Sequence, residues 1–356
     1  MIDDQILKLF ALPDDDYSLS PYGSGHINRT YLAEGKRFRF VLQRINDKIF
    51  PDVEGLMRNL SSVCDFYADV IRKEGGDASS CLTIVPAKDG SRFVKTEDGY
   101  YRVYNFIEHT VALNMPLSAE HFGKGGECFA RFAKNLAGFD ASALIDVIPH
   151  FHDTVRRVVN FKNAVKADAF GRKEEVKELI DFVLERESAA GVVLKGLENG
   201  LIPLRVTHND TKFNNLLFDA DTKLPVAVID LDTVMKGSML YDFGDAVRTG
   251  CNSADEDEPD LDKVRFLKDY YDAFEGAYLG VLEGGITAEE KRLLGFSAML
   301  MTYECGTRFL TDYLEGDVYF AVHKPKHNLL RAKTQFKLVS EMEKIFGTMT
   351  DYVEAE

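Results

Sequence analysis

The sequence predicts an α+β chain of two lobes, a small one on an antiparallel sheet and a larger, mainly helical one. Three observations carry that expectation. Up to about residue 108, short apolar runs alternate with turn formers. From Ser118 onward, apolar residues recur at three- and four-residue steps. A single hairpin pattern near 215–229 interrupts the helical part. With 356 residues, 45% of them hydrophobic, the chain has room for two ordinary cores. The lobes divide as 1–108 and 109–356, with a hinge near 106–110.

In the first lobe, strands are expected around Tyr17 to Tyr22, Arg29 to Ala33 and Phe38 to Gln43. A helix follows from about Asp52 to Lys73, then strands near Leu82 to Val85, Arg92 to Lys95 and Tyr100 to Ile107. In the second lobe, helical periods cover Ala119 to Ala137, Phe151 to Val165, Glu174 to Glu187, Leu261 to Leu279, Thr287 to Leu314 and His327 to Ile345. Thr287-Ala288-Glu289-Glu290 has capping-box spacing, and Gly316 stands where a helix stop is expected. The acidic run from Asp255 to Asp260 suits a solvated loop leading into a helix, with a cation-binding loop as the sharper alternative.

Composition excludes several classes of function. The five cysteines are an odd number without C-x-x-C spacing, which points to reduced thiols and no structural zinc. No export signal and no long apolar stretch occurs, so a cytoplasmic protein without a membrane partner is expected. A net charge of −15 argues against nucleic acid, whose phosphates are bound chiefly through Lys and Arg. Oligomeric state stays open.

His208-Asn209-Asp210-Thr211-Lys212-Phe213-Asn214-Asn215, followed by Ile229-Asp230-Leu231-Asp232, has the H-x-D-x-K-x-x-N spacing and downstream Asp of phosphoryl-transfer sites. A hydroxyl attacking the γ-phosphate of ATP must lose its proton to a carboxylate, and Mg²⁺ needs hard oxygen ligands. Asp210 is the candidate base, and Asn215 and Asp230 are the candidate metal ligands. Lys212 could reach the γ-phosphate. If Asn215 to Phe218 pairs with Val226 to Ile229 about Thr222 and Lys223, Asn215 falls opposite Asp230. An ordinary hairpin with surface Asn and Asp is the plain alternative, and the multi-residue match outweighs it.

The nucleotide half is written less clearly. Gly23, Ser24 and Gly25, with Asn28 just beyond, could form a turn that brings backbone N–H groups to phosphates, although a plain hairpin turn fits as well. Phe106, Ile107 and Glu108 end the sheet where a hinge would offer backbone groups to adenine. Protein kinases place a lysine on the third strand to hold the α- and β-phosphates. Here Gln43 occupies the inward position, so Arg44 or Lys212 is left to take that role.

The catalytic loop resembles that of the aminoglycoside phosphotransferase and choline kinase superfamily. The resemblance to bacterial N-acetylhexosamine 1-kinases extends over nearly the whole chain. It is carried by PYGSGHINRTYL from Pro21, FPDVEGLMRN from Phe50, RVYNFIEHT from Arg102, IPLRVTHNDTKFNNLL from Ile202, IDLDTVMKGSMLYDFGDAVR from Ile229, ECGTRFLTDYLEGDVYF from Glu304 and HNLLR from His327. It implies a two-lobed protein-kinase-like fold that moves the ATP γ-phosphate onto the anomeric hydroxyl of N-acetylglucosamine or N-acetylgalactosamine. It also implies that Asp210 is the base beside that hydroxyl, that Asn215 and Asp230 bind magnesium, and that Arg308 and Tyr319 hold the sugar. His26 with Leu19 would close the pocket from the small lobe. Thr249, at a sugar-site position, departs from the aromatic residue of related enzymes, which leaves stacking there and the preferred hexosamine open.

Other residues have competing readings. Arg308 falls on a mostly apolar stripe, where an intrahelical pair with Glu304 or Asp312 competes with sugar contact, Glu304 then holding the guanidinium. His150 and His152 fit helix entry better than metal binding. Asp242 resembles the carboxylate that braces the catalytic loop. Asp232 is either a second metal contact or a strand-end carboxylate, and His208 is expected to pack and orient the loop. An amine-bearing acceptor, aminoglycoside or choline, is the second reading of substrate. A catalytically silent nucleotide-binding module is the third, motivated by the missing lysine.

Overall fold

The computed structural model describes residues 4–23 and 27–353. Ser24, Gly25 and His26, expected at the phosphate turn and the sugar pocket, lie outside the described residues. In chain order the strands are β1 Ser18–Pro21, β2 Arg29–Glu34, β3 Arg39–Ile45, β4 Ile84–Val85, β5 Val94–Thr96, β6 Gly99–Asn105, β7 Thr110–Ala112, β8 Arg205–Thr207, β9 Leu216–Asp219, β10 Pro225–Val228 and β11 Met235–Gly237. The helices are α1 Val53–Lys73, α2 Ala119–Asn135, α3 Thr154–Ala167, α4 Lys177–Glu185, α5 Val192–Glu198, α6 Met239–Gly250, α7 Lys268–Val281, α8 Ala288–Arg292, α9 Leu294–Leu314 and α10 His327–Phe346. Two compact units result: Met1–Leu113 with Arg131–Pro149 and Asn214–Lys236, and Asn114–Ala130 with His150–Phe213 and Gly237–Glu356.

The first unit holds an antiparallel sheet in the order β1-β2-β3-β6-β4, with β5 also paired to β6. Period-two alternation puts Phe40 and Leu42 of β3 and Tyr101 and Val103 of β6 on one face, where they form a core with Leu7, Phe10 and Ala33. The other face carries Gln43 directly opposite Arg102. Helix α1 starts where Asp52 accepts the Gly55 N–H at 2.8 Å, and it buries the stripe Leu56, Met57, Leu60, Val63 and Cys64. Its buried Asn59 donates to the carbonyls of Ile145 (2.9 Å) and Val234 (3.0 Å).

A second sheet of this unit, in the order β10-β9-β7, contains the expected hairpin. A bulge between Pro225 and Ala227 shifts its register by one residue, because proline supplies no N–H to the ladder. Ile229, not Asp230, therefore faces Asn215, donating its N–H to the Asn215 carbonyl at 2.9 Å.

The second unit is built around α9, which packs against α10, α6 and α3 and is buried nearly all round. At Gly244 of α6 the backbones come so close that a Cβ would lie 2.3 Å from the Ser297 carbonyl oxygen of α9. The capping box at Thr287 and Glu290 forms. The expected long helix nevertheless divides at Leu293, since Glu290 also binds Arg205 and pins the first turn separately. The helix expected from Leu261 starts at Lys268: residues 264–267 bond instead to the loop after α6, through Ser253 N–H to Arg265 C=O and Leu267 N–H to Cys251 C=O. Among the described residues, no helix is long and apolar enough to cross a membrane. All five cysteines are free thiols.

Candidate active site

Three polar groups of the loop after β8 are held by α6. Ser238 caps that helix by accepting the Leu240 N–H at 3.2 Å, which places Asp242 in the first turn. The buried Asp242 carboxylate accepts the N–H groups of His208 (2.9 Å) and Asn209 (2.7 Å). Its own carbonyl accepts the Thr211 hydroxyl at 2.5 Å. Burial pushes the Asp242 carboxyl above the usual range, with His208 and the two N–H donors pulling the other way. These bonds hold Asn209 at φ 65°, a left-handed conformation that orients the residue before Asp210.

His208 is fully buried, and its Nδ1 accepts the Asp210 N–H at 3.2 Å, so the ring orients the loop. Lys212 Nζ lies 2.7 Å from Asp210 Oδ1. Burial lowers the Lys212 pKa, but attraction from Asp210 and then Asp245 outweighs it, and the ammonium stays charged.

His152 has a structural role that its sequence did not reveal. Its Nδ1 lies 3.0 Å from Glu304 Oε1 and its Nε2 3.4 Å from the Asn209 carbonyl, behind the catalytic loop. Thr154 donates a 2.6 Å bond to the second Glu304 oxygen. Glu304 is therefore occupied by His152 and Thr154. Asp312 is likewise occupied, capping the N–H groups of Val318, Tyr319 and Phe320. Arg308 lies over the rings of Phe320 and Tyr319, 5.4 and 6.0 Å from their centroids.

The structure thus brings Arg308 and Tyr319 together. Thr249 lines a pocket of about 520 Å³ with Arg248, Asn252, Glu256, Glu258 and Gln335. Its hydroxyl donates back to the Asp245 and Ala246 carbonyls. Most of the acidic run is matched by cations: Glu256 lies 3.4 Å from Arg248 and 3.6 Å from Arg331, Asp257 pairs with Lys324 and His327, and Glu258 with Lys263.

In the sheet-bearing unit, Asn215 precedes β9 and Asp230 follows β10, at the same end of the hairpin. Asp230 is left-handed, with φ 62°. An amide oxygen and a carboxylate from adjoining strand ends are hard donors of the kind magnesium accepts, with phosphate oxygens and water completing its shell. Asp232, two residues on, is engaged elsewhere: its oxygens take Arg102 at 2.6 and 2.8 Å and Asn28 Nδ2 at 2.5 Å.

The nucleotide-side residues are placed as follows. Gln43 accepts Arg102 Nη2 at 2.7 Å and donates to Thr30 at 3.0 Å, and Arg44 turns to the Asp98 carbonyl at 2.8 Å. Asn28 also accepts the Asn46 N–H at 3.0 Å. Gly23 adopts φ 77°, a conformation that glycine takes readily. Leu19 on β1 packs against the core of its unit. Phe106 lies under the Arg39 guanidinium, Ile107 accepts the Thr110 hydroxyl through its carbonyl, and Glu108 pairs with Arg39. No site role was expected for Arg102, since nothing local marks a strand arginine as buried.

Solved structures share this fold over almost the whole chain. An aminoglycoside phosphotransferase from Alicyclobacillus acidocaldarius aligns over 99% of this chain and 95% of its own, at 13% identity and a TM-score of 0.63. A choline/ethanolamine kinase family protein from Mesorhizobium loti aligns over 98% of each chain at 15% identity and a TM-score of 0.58. A microcompartment-associated aminopropanol kinase covers 99% of this chain and 98% of its own, at 16% identity and a TM-score of 0.57. The family described as "Phosphotransferase enzyme family" matches residues 18–280, most of the chain. On that match, the chain belongs to the phosphotransferase enzyme family.

Proposed function

We propose that the chain is an ATP- and magnesium-dependent kinase that phosphorylates the anomeric hydroxyl of N-acetylhexosamines, with N-acetylglucosamine and N-acetylgalactosamine as acceptors. Asp210 takes the proton as the anomeric O–H bond breaks. The sugar oxygen bonds to the γ-phosphorus, and the bond from that phosphorus to the β–γ bridging oxygen breaks, its electron pair leaving with ADP. Lys212 steadies the Asp210 carboxylate and offsets charge on the transferring group. Asn215 and Asp230 would hold magnesium, which when bound supplies charge neutralisation at the phosphates. The anomeric hydroxyl is acidic for an alcohol, so one braced carboxylate suffices when positioning supplies most of the acceleration.

The observation that carries the acceptor assignment is the pocket beside Thr249. Its lining includes the amide and hydroxyl groups of Thr249, Asn252, Ser253 and Gln335, and of its three carboxylates Glu256 and Glu258 are matched by Arg248, Arg331 and Lys263, with Asp255 beside them. A neutral polyhydroxyl acceptor suits such a wall, whereas a cationic one would meet Asp255 as its one carboxylate without a cation beside it among the described residues. The resemblance to N-acetylhexosamine 1-kinases points the same way. Choline or an aminoglycoside is the competing acceptor.

Initial rates with the two N-acetylhexosamines, choline and kanamycin, at equal ATP and magnesium, separate the two readings. Turnover confined to the amino sugars is expected. Faster turnover of choline or kanamycin overturns the acceptor assignment, and nucleotide binding without turnover on any acceptor would indicate a silent module.

A further inference from the structure

The sheet face that carries Gln43 and Arg102 contains a charge pair with no assigned role. Arg102 is 1% exposed. Nε and Nη2 donate to Gln43 Oε1 at 3.0 and 2.7 Å, Nη2 also to Asp232 Oδ2 at 2.8 Å, and Nη1 lies 2.6 Å from Asp232 Oδ1. Asp232 is itself 4% exposed. Charges this deep persist only when paired and hydrogen-bonded.

Protein kinases join a third-strand lysine to a helix glutamate, and that ion pair must form for activity. Here the third strand offers Gln43, and the residues buried on α1, among them Met57, Asn59 and Leu60, include no carboxylate. The cation sits instead on β6 and the anion on the turn after β10. That turn, Leu231–Thr233, directly follows left-handed Asp230, a conformation that persists only where its surroundings over-determine it. Asn59 holds the end of the same turn through the Val234 carbonyl at 3.0 Å, and Asn28 adds a third tether to Asp232.

We propose that Arg102 is the positioning residue of the metal-binding turn: through Asp232 it fixes Asp230 in the orientation that receives nucleotide-borne magnesium, replacing the strand-to-helix ion pair. Arg102 touches neither phosphate nor acceptor. The inference rests on the assignment of Asp230 as a magnesium ligand.

The test is calorimetric binding of ADP, with and without Mg²⁺, to the full chain and to Arg102→Met, Asp232→Asn and the double variant, alongside ligand-free thermal unfolding. Groups that orient a metal ligand typically change metal affinity about 10- to 100-fold when removed. Each variant is expected to lose Mg·ADP affinity on that scale while binding of metal-free ADP is unchanged, a difference that a purely structural role would not produce. The double variant removes both charges together, leaving no uncompensated buried ion, and should lose no more than the worse single variant. Wild-type Mg·ADP affinity in the folded double variant overturns the role of Arg102 while leaving the Asp230 assignment standing. Wild-type protein that binds ADP equally with and without Mg²⁺ overturns the Asp230 assignment, and this inference with it.

Discussion

Replacing Asp242 tests how the catalytic loop is held. Its carboxylate accepts the His208 and Asn209 N–H groups at 2.9 and 2.7 Å in a buried position. In Asp242→Ala both donors lose their acceptor, and a buried donor left unsatisfied costs about 1 to 3 kcal/mol. Relief of the carboxylate's own burial, the cause of its raised pKa, offsets part of this. A net loss of about 2 to 4 kcal/mol follows from two orphaned donors less that relief. Asp242→Asn keeps the volume but turns an NH₂ group toward one of the donors, and should lose a comparable amount. Released from its brace, Asn209 relaxes from φ 65° and Asp210 moves with it. A displacement of about 1 Å typically costs around 10²-fold in rate. Urea unfolding followed by circular dichroism, with kcat at saturating substrates, measures both effects. A variant with wild-type stability and wild-type kcat would refute the brace.

Asp210→Asn should reduce kcat by about 10²- to 10⁴-fold; wild-type turnover would remove Asp210 from the base role. Burial alone would raise the Glu304 pKa, but His152 and then Arg308 and Thr154 hold it below the usual range. Its stabilising contribution is therefore complete above the ordinary glutamate value of about 4.5 and is lost as pH falls through the depressed one. Glu304→Gln should accordingly flatten the acid limb of stability against pH, measured as urea midpoints across that range. Gly244→Ala places a Cβ 2.3 Å from the Ser297 carbonyl oxygen and should destabilise by about 1 to 3 kcal/mol in the same urea assay.

Local signals foretold the local features. The helix start near Asp52 and the Thr287 capping box describe groups a few residues apart, and both appear in the structure. Helix α6 was missed because Asp242, Gly244, Asp245 and Arg248 interrupt its apolar pattern, although Ser238, Phe243 and Val247 carried the signal. The hairpin register slipped because Pro225 creates a bulge whose extent depends on pairing. Arg102 lies 130 residues from Asp232, and Thr154 150 residues from Glu304, so no spacing rule brings them together. The carboxylates of the acidic run are matched partly by cations remote in sequence, Lys324, His327 and Arg331, which composition alone does not pair. The sugar-site expectations rested on resemblance, and the departure at Thr249, which lines the pocket after α6, makes the acceptor panel informative.

The most direct measurement is phosphorus NMR of the product formed from ATP, Mg²⁺ and N-acetylglucosamine or N-acetylgalactosamine. A sugar phosphate whose phosphorus couples to the anomeric proton, formed together with ADP and absent with Asp210→Asn, is the predicted result. ATP left intact with both sugars, or phosphate on any other hydroxyl, would contradict the proposed reaction.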